Sequence, residues 1–213
     1  MADYVTDRVK YPRTPHLPWS PGGTSDDSYL VDTKHFEGKE VIVTEKMDGE
    51  NTTLYNDGMH ARSIDSRHHP SRDWVKAFHS VFAREIPVGW RVCGENVYAK
   101  HSIEYDALPS YFLLFSVWNE KNESLSWDQT VEWASLLGVE TVPELWRGIW
   151  DEDAVRSIQI DESIQEGYVV RLASSFSYKD FPHSMGKWVR PHHVQTDQHW
   201  MSAAVVPNGL SDQ

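Results

Sequence analysis

The sequence predicts an α+β fold in which antiparallel sheets are flanked by a few helices. Short runs of β-branched and apolar residues recur along the chain, turn-forming residues separate them, and only a few segments change to a helical period. An apolar fraction of 39% over 213 residues is typical of a folded globular protein. No repeat and no linker divides the chain, so we expect one compact α+β unit.

The N-terminal part holds an arm followed by three strands. YPRTPHLPWSPGGTSDD is rich in proline and glycine, which indicates a loop or arm rather than a helix, and we assign residues 1–39 to it. EVIVTEK (40–46) is typical of a buried strand because its apolar residues are mostly β-branched. NTTLYNDG (51–58) and MHARSID (59–65) are predicted as a hairpin that turns at Asn56-Asp57-Gly58.

Two long segments and one short segment are predicted as helices. SRDWVKAFHSVFAREI (71–86) ends before Pro87 and places on one helical face Trp74, Phe78, Val81, Phe82 and Ile86. SWDQTVEWASLLG (126–138) begins with a capping box of Ser126 and Gln129 and ends at Gly138. A short acidic helix is expected near 151–158. The remaining strands are predicted at WRVCGENVYA (90–99), YFLLFSVW (111–118), EGYVVRLA (166–173) and GKWVRP (186–191).

The composition excludes several classes of protein. The formal net charge of −12 argues against binding to nucleic acid by bulk attraction, so a nucleic-acid site would need a local basic groove or a bound metal. One cysteine, Cys93, permits neither an intrachain disulfide nor a multi-cysteine zinc site. No apolar run approaches the length that spans a bilayer, and the N-terminus lacks the apolar core of a signal peptide. We expect a cytoplasmic protein without membrane contact.

Charged side chains stand beside five of the predicted strands, and each has an ordinary interpretation. A solvated strand end, a turn carboxylate or an edge-strand charge would explain any one of Lys46, Arg62, Glu95, Glu166 and Lys187. Lys46 is also a candidate nucleophile, because an amine at the end of an apolar strand is partly desolvated, and desolvation favours its neutral form.

Taken in order, these stretches resemble the motifs of covalent nucleotidyltransferases, and most closely those of phage-type ATP-dependent RNA ligases. EKMDG (45–49) is similar to the K-x-D-G nucleophile motif, and ARS (61–63) to the arginine strand that follows it. The later matches are CGEN (93–96), YFLLFSVW (111–118), EGYVVR (166–171) and GKWVR (186–190). The resemblance implies a nucleotidyltransferase domain of the ATP-grasp-like ligase adenylation type at 40–191, with residues 192–213 as a tail packed on it.

The resemblance also implies the chemistry. The protein would be an ATP-dependent RNA ligase that joins 5′-phosphate and 3′-hydroxyl RNA ends through a lysyl-AMP intermediate, with Mg²⁺ or Mn²⁺ as cofactor. Its catalytic residues would be Lys46, Glu166 and Lys187, and its metal ligands Glu95 and Glu166. Nucleotide-binding roles fall on Glu45, Asp48, Gly49, Arg62, Glu95, Phe115, Lys187 and Arg190.

Two of these nucleotide-binding assignments have competing interpretations. The resemblance places Phe115 against adenine, although alternation along its strand predicts a core side chain there. The terminal motif of the family often carries a second lysine, but this sequence has Val189 at that position. Either Arg190 replaces that lysine or one phosphate contact is missing.

The most basic stretch of the chain is SRHHPSRDWVK. We assign RNA contacts to Arg67, His68, Arg72 and Lys76, with a solvated loop leading into a helix as the equally ordinary alternative. The 22 residues after Pro191 are too few for a separate module, so we expect a bare catalytic domain and an additional element that positions the RNA. An end-healing kinase or phosphatase is a further expected partner.

Three alternative functions stay open at this stage. A capping-type guanylyltransferase and a DNA ligase share the same motif order and the same lysine chemistry. A nucleotide- or RNA-binding module without catalysis would keep the fold but would have no need of a lysine nucleophile.

Overall fold

A computed structural model describes residues 7–192 and 204–212. Its strands and α-helices follow in the order β1 (Glu40–Lys46), β2 (Glu50–Tyr55), β3 (Gly58–Ala61), α1 (Asp73–Phe82), β4 (Arg91–Asn96), β5 (Phe112–Trp118), β6 (Glu123–Ser124), α2 (Trp127–Leu137), β7 (Glu144–Ile149), α3 (Glu152–Arg156), β8 (Gly167–Leu172), β9 (Phe176–Ser177) and β10 (Met185–Val189). Short 3₁₀ turns cover Lys34–Phe36, Pro70–Arg72, Ala83–Glu85 and Tyr178–His183.

The strands form two sheets in which every pair of named neighbours is antiparallel. One sheet has four strands in the order β10-β8-β1-β7, and the other has six in the order β3-β2-β4-β5-β6-β9. The prediction of antiparallel sheets with a few helices is therefore confirmed. The sequence missed β7, which pairs with β1 along the edge of the four-stranded sheet.

β1 is buried on both faces, which explains its continuous apolar run. Val41 and Val43 pack into one core cluster with β8 and the N-terminal arm, whereas Ile42 packs into a second cluster with Trp127. A strand enclosed on both sides reads as a hydrophobic run rather than as an alternation. Lys46 is the last residue of this strand, so its side chain leaves the core at a fixed point.

Helices α1 and α2 contribute to a third apolar cluster together with strands β2, β4 and β5. α2 has the predicted capping box between Ser126 and Gln129 and ends at Gly138, whose φ of 68° lies in the left-handed region. α1 is shorter than the predicted 71–86 helix because 3₁₀ turns replace both of its ends. Val81 was predicted to lie on the buried face, but it is 84% exposed.

The predicted third strand, 59–65, ends early. β3 stops at Ala61, and the residues from Arg62 onward leave the sheet as an irregular loop before the turn at Pro70–Arg72. Only Thr52–Tyr55 pairs with β3, so the ladder between the two strands ends at Ala61. This early end frees the loop to border the cavity described below.

Both ends of the described chain contact the central sheets. In the N-terminal arm, Leu17 donates a backbone hydrogen bond to Lys187 of β10. Residues 204–212 pair with 99–108 through bridges at Pro207 and Leu210. Residues 1–6, 193–203 and 213 lie outside the described part, and the proposed boundaries of the arm, domain and tail stay predictions.

Candidate active site

A cavity of about 710 Å³ opens between the two sheets. β1, β8 and β10 supply one side of its lining, and the opposite side comes from β4, β5 and the loop after β3. The volume lies in the range of cavities that hold a nucleotide-sized ligand. The cavity brings together most of the residues singled out in the sequence, namely Glu45, Lys46, Asp48, Gly49, Arg62, Arg67, His68, Arg72, Glu95, Phe115, Glu166 and Lys187.

The Lys46 amine points at a carboxylate rather than at bulk water. Its Nζ donates to Glu166 Oε1 at 2.9 Å, and the two side chains are 25% and 4% exposed. The contact is set by strand register, because Lys46 lies opposite Gly167, the residue after Glu166, in the β1–β8 ladder. Two residues 120 positions apart in sequence are thus fixed as neighbours by adjacent antiparallel strands.

Carboxylates decide the protonation of Lys46 in the free protein. Burial lowers the pKa of this amine, but the charges of Glu166 and Glu95 raise it further than burial lowers it. Desolvation alone, as expected from the strand, therefore does not leave the amine neutral. Burial also raises the pKa of Glu95 to about 8, with Glu166 adding to the rise and Lys46 opposing it. Burial therefore favours the neutral form of Glu95 in the free protein.

Asp48 and Gly49 fix the turn that follows Lys46. Asp48 is buried, and its Oδ2 accepts hydrogen bonds from Ser102 Oγ at 2.8 Å and from Ile103 N at 2.7 Å. These bonds join it to the loop after β4. Gly49 donates its N–H to Glu95 Oε1 at 3.2 Å, and a Cβ at this position would collide with the carbonyl oxygen of Asn96. Glycine is required here by close approach of two backbones.

Lys187 lines the same side of the cavity as Lys46, from β10, with β8 between the two strands. Its side chain is 12% exposed, and its Nζ lies 3.8 Å from Asp27 Oδ1. Burial and the nearby Lys46 cation lower the pKa of Lys187 to about 8, against the opposing effect of Asp27. Arg62 also lowers it and stands exposed at the start of the loop after β3. The cavity thus presents two lysines and an arginine to any anion that enters.

Phe115 and Glu45 both line the cavity and are half-buried. Phe115 is half-buried on β5, and its ring stands edge-on to Tyr11 with centroids 5.2 Å apart. It packs on the core, as the strand alternation predicts, and also lines the cavity, while its contact with adenine stays a prediction. The backbone N–H of Glu45 donates to the carbonyl of Pro143, which commits that amide within the protein.

Arg190 does not line the cavity. Its guanidinium donates to the carbonyl oxygen of Glu162 and to Ser102 Oγ at 3.4 Å. Val189 is buried, and its Cγ1 lies against Gly22. The geometry therefore favours the interpretation in which the second cation of the terminal motif is missing over the one in which Arg190 replaces it.

The four residues assigned to RNA occupy two different environments. Arg67 and His68 are exposed beside the cavity, and Lys76 Nζ lies 2.7 Å from His68 Nδ1 in a smaller adjoining pocket. Arg72 is buried, and its guanidinium holds Glu50 through two bonds of 2.7 and 2.6 Å. Arg72 is thus already engaged with a carboxylate inside the protein, and an RNA contact at this residue stays a prediction.

The N-terminal arm supplies cavity residues that the sequence did not indicate. Five consecutive residues, 10–14, line the cavity and include Lys10 and Arg13. The arm also carries Asp27 and the buried His16, whose Nε2 lies 3.4 Å from Asp27 Oδ2. No local pattern distinguishes these residues from other polar positions in a proline-rich loop, so only their three-dimensional contacts reveal them.

The sequence profile of the RNA ligase family matches residues 39–189, which is more than two thirds of the chain. The chain belongs to the RNA ligase family. The matched range includes Lys46, Glu95, Glu166 and Lys187, and it leaves out most of the N-terminal arm. No protein with a curated functional description matches this RNA ligase family member significantly.

Solved structures of ligases share the fold of this family member. A putative ATP-dependent DNA ligase from Aquifex aeolicus superposes with a TM-score of 0.56 at 18% identity, over 84% of this chain and 49% of that one. An apo variant of a Naegleria gruberi RNA ligase superposes with a TM-score of 0.55 at 14% identity, over 84% of this chain and 57% of that one. Another variant of that ligase, with ATP and Mn, superposes with a TM-score of 0.51 at 15% identity, over 74% of this chain and 51% of that one. The chain therefore spans about half the length of these proteins, and at such identities the similarity is one of fold.

Residues 7–192 and 204–212 contain neither a membrane-spanning helix nor a preformed cluster of metal ligands. No helix there has the length and hydropathy needed to cross a bilayer. No group of three or more His, Cys, Asp or Glu side chains in these ranges is arranged to hold a metal ion by itself.

Proposed function

We propose that this protein is an ATP-dependent RNA ligase that carries AMP on Lys46. The observation that carries the proposal is the meeting of Lys46, Glu166 and Lys187 in one nucleotide-sized cavity. Membership of the RNA ligase family supports the same reaction. The assignment of this domain to the ATP-grasp-like type, and its interaction with an end-healing kinase or phosphatase, belong to the same proposal.

The first step is transfer of AMP to the protein. The Lys46 nitrogen attacks the α-phosphorus of ATP, the nitrogen–phosphorus bond forms, and pyrophosphate leaves with the electrons of the broken phosphorus–oxygen bond. The amine must lose a proton for this attack, and Glu166 is the adjacent carboxylate that can accept it. Lys187 and Arg62 supply positive charge for the phosphate oxygens, because phosphoryl transfer depends mainly on positioning and charge neutralisation.

The remaining steps transfer AMP to RNA and seal the strand. A 5′-phosphate oxygen of RNA takes AMP from Lys46, which regenerates the free amine. A 3′-hydroxyl then attacks the activated phosphate, the phosphodiester bond forms, and AMP leaves. The exposed cations beside the cavity, Arg67 together with Lys10 and Arg13 of the arm, give this acidic chain a local basic rim for RNA phosphates, and His68 adds an exposed polar ring next to it.

The residues of the site fit a divalent metal ion. Glu95 and Glu166 offer hard oxygen ligands. Burial raises the pKa of Glu95, with the Glu166 charge adding to the rise, and a bound cation would favour the ionised form of Glu95. Two carboxylates together with substrate phosphates are a usual set of Mg²⁺ ligands. Mg²⁺ or Mn²⁺ bound there would neutralise phosphate charge and reduce the negative field that raises the pKa of Lys46. A solved structure of a Naegleria gruberi RNA ligase variant contains ATP and Mn, which supports the use of ATP and a divalent metal ion by this protein.

Nucleotide labelling tests the first step. The protein is incubated with Mg²⁺ and ATP labelled on the α-phosphate, denatured, and digested for peptide mass spectrometry. We expect label that survives denaturation and maps to Lys46, whereas ATP labelled on the γ-phosphate should leave none. Labelling from GTP instead of ATP would favour a capping-type guanylyltransferase, and reversible ATP binding without covalent label would favour a binding module.

Strand sealing tests the substrate. Nicked RNA and nicked DNA of one sequence are compared, each with a 5′-phosphate or a 5′-hydroxyl at the nick. We expect sealing of phosphorylated RNA, and the 5′-hydroxyl substrates serve as the matched control because they lack the acceptor of AMP. Sealing of DNA in preference to RNA would overturn the RNA assignment while leaving the lysine chemistry in place.

A further inference from the structure

The N-terminal arm holds Lys187 through its backbone on both sides. Lys187 donates its N–H to the carbonyl of Pro15 at 2.9 Å, and its own carbonyl accepts from Leu17 at 2.8 Å. His16 lies between them and forms a parallel bridge with Lys187. The arm therefore adds a short stretch of strand to β10, which is otherwise an edge of the four-stranded sheet.

The same arm brings a carboxylate to the Lys187 side chain. Asp27 Oδ1 lies 3.8 Å from Lys187 Nζ, and both side chains are largely shielded from water, at 9% and 12% exposure. Thr24 fixes the other oxygen of Asp27, with its backbone N at 3.0 Å and its hydroxyl at 3.1 Å. An ion pair shielded from solvent is screened little by salt, so its effect on Lys187 is larger than that of a surface pair.

His16 completes the setting of Asp27. Its Nδ1 lies 2.7 Å from Ser20 Oγ, and that hydroxyl accepts a hydrogen bond from Val189 N at 2.9 Å. Burial lowers the pKa of His16 to about 4, so the ring is neutral at physiological pH. The Ser20 hydroxyl can donate a hydrogen bond to Nδ1 while it accepts from Val189 N, and His16 Nε2 lies 3.4 Å from Asp27 Oδ2. A neutral histidine keeps the negative charge of Asp27 available to Lys187.

We propose that Asp27 is a positioning residue that holds the Lys187 ammonium in the cavity, so that the N-terminal arm forms part of the catalytic site. The inference rests on the proposed function, because it takes the α-phosphate of ATP as the ligand of Lys187. Asp27 lies behind Lys187 and orients it, while Lys187 makes the contact with phosphate. The charged groups that act on Lys187 are Lys46, Arg62, Glu166 and Asp27, with neutral His16 beside them.

The main test is Asp27→Asn in the covalent labelling reaction, followed from pH 6.5 to pH 9. Labelling requires a protonated Lys187, so it should fall as pH rises through the pKa of that lysine, about 8 in the wild-type protein. Loss of the Asp27 charge should move this fall to lower pH by about one unit. It should reduce the labelling rate at pH 8 about tenfold, with the ATP concentration for half-maximal rate raised.

Three further variants separate charge from loop structure. Asp27→Glu should restore most of the activity and the original pH dependence, because it restores the carboxylate. Asp26→Asn is the matched control, since Asp26 is the exposed neighbour in the same loop. Thr24→Val removes one hydrogen bond to Asp27 and keeps its charge, and it should leave the pH dependence in place. Equal losses in Thr24→Val and Asp27→Asn, or an unchanged pH dependence in Asp27→Asn, would overturn the proposal.

A second measurement keeps this inference separate from the proposed function. The rate at which a small amine-selective reagent modifies Lys187 is measured against pH by peptide mass spectrometry, without nucleotide. The midpoint should be lower in Asp27→Asn than in the wild-type protein, and equal midpoints would refute the role of Asp27. A wild-type protein that takes no label from ATP would refute the proposed function, and the reagent experiment would still decide the role of Asp27.

Discussion

Lys46→Arg is expected to abolish covalent transfer of AMP to the protein, with a loss of at least about 10³-fold. Arginine keeps a positive charge beside Glu166, so an ion pair with that carboxylate can still form. A guanidinium stays protonated under all ordinary conditions and offers no nitrogen lone pair for attack on phosphorus. The substitution therefore removes nucleophilicity while it disturbs the charge of the cavity little.

The measurement is label retained from α-labelled ATP after denaturation, with thermal unfolding as a check that the variant is folded. Lys39→Arg provides the matched control, because Lys39 is exposed just before the same strand, β1, and should label like the wild-type protein. Undiminished labelling of Lys46→Arg would mean that another residue is the nucleophile. Loss of labelling in both variants would point to a general defect and leave Lys46 without a special role.

Much of the site was predictable because its motifs coincide with strands. The runs around Lys46, Glu95 and Lys187 belong to β1, β4 and β10, and local apolar patterns locate such strands well. Antiparallel pairing with β8 then brings the motifs of β1 and β10 together, whereas Glu95 of β4 belongs to the other sheet and reaches them through the packing of the two sheets. The capping box of α2 was predictable for a similar reason, because a cap depends on residues three positions apart.

Other features depend on contacts that no local pattern records. β7 was missed because its residues are mostly half-exposed or exposed, so it lacks the apolar run that marked β1. Asp27 sits in a proline- and glycine-rich loop and gains its importance only from its approach to Lys187, 160 positions later. The direction of Arg190 depends on Ser102 and Glu162, which belong to separate loops. Such pairings follow from tertiary packing, which single-sequence patterns do not specify.

Glu95→Gln is expected to stabilise the free protein and to weaken its reaction with ATP. Burial raises the pKa of Glu95 to about 8 from an ordinary value of 4.5, and the Glu166 charge adds to the rise. A carboxyl with a raised pKa in the folded state is charged more easily in the unfolded state. Its contribution to stability is therefore fully present below about pH 4.5 and is lost as pH rises toward 8.

Glutamine is neutral at every pH, so the variant does not lose stability as the pH rises from 4.5 to 8. At pH 8 the variant should be more stable than the wild-type protein by about 2–4 kcal/mol, while the two proteins should unfold alike near pH 4.5. The amide oxygen can still accept the N–H of Gly49, so the turn after Lys46 keeps its hydrogen bond. Urea unfolding at a series of pH values measures the difference. Glu132→Gln, at an exposed position of α2, is the control and should match the wild-type protein throughout.

The same substitution should lower the rate of covalent labelling by about 10- to 100-fold, because a neutral amide is a weaker partner for a ribose hydroxyl or a metal ion than a carboxylate. A gain in stability with a loss of activity would show that the ionised Glu95 destabilises the folded protein but is needed for the reaction with ATP. A variant as active as the wild-type protein would instead make Glu95 a support for the Gly49 turn. A variant that is less stable at pH 8 would mean that the Lys46 charge outweighs burial at this carboxyl, which would reverse the electrostatic account of the site.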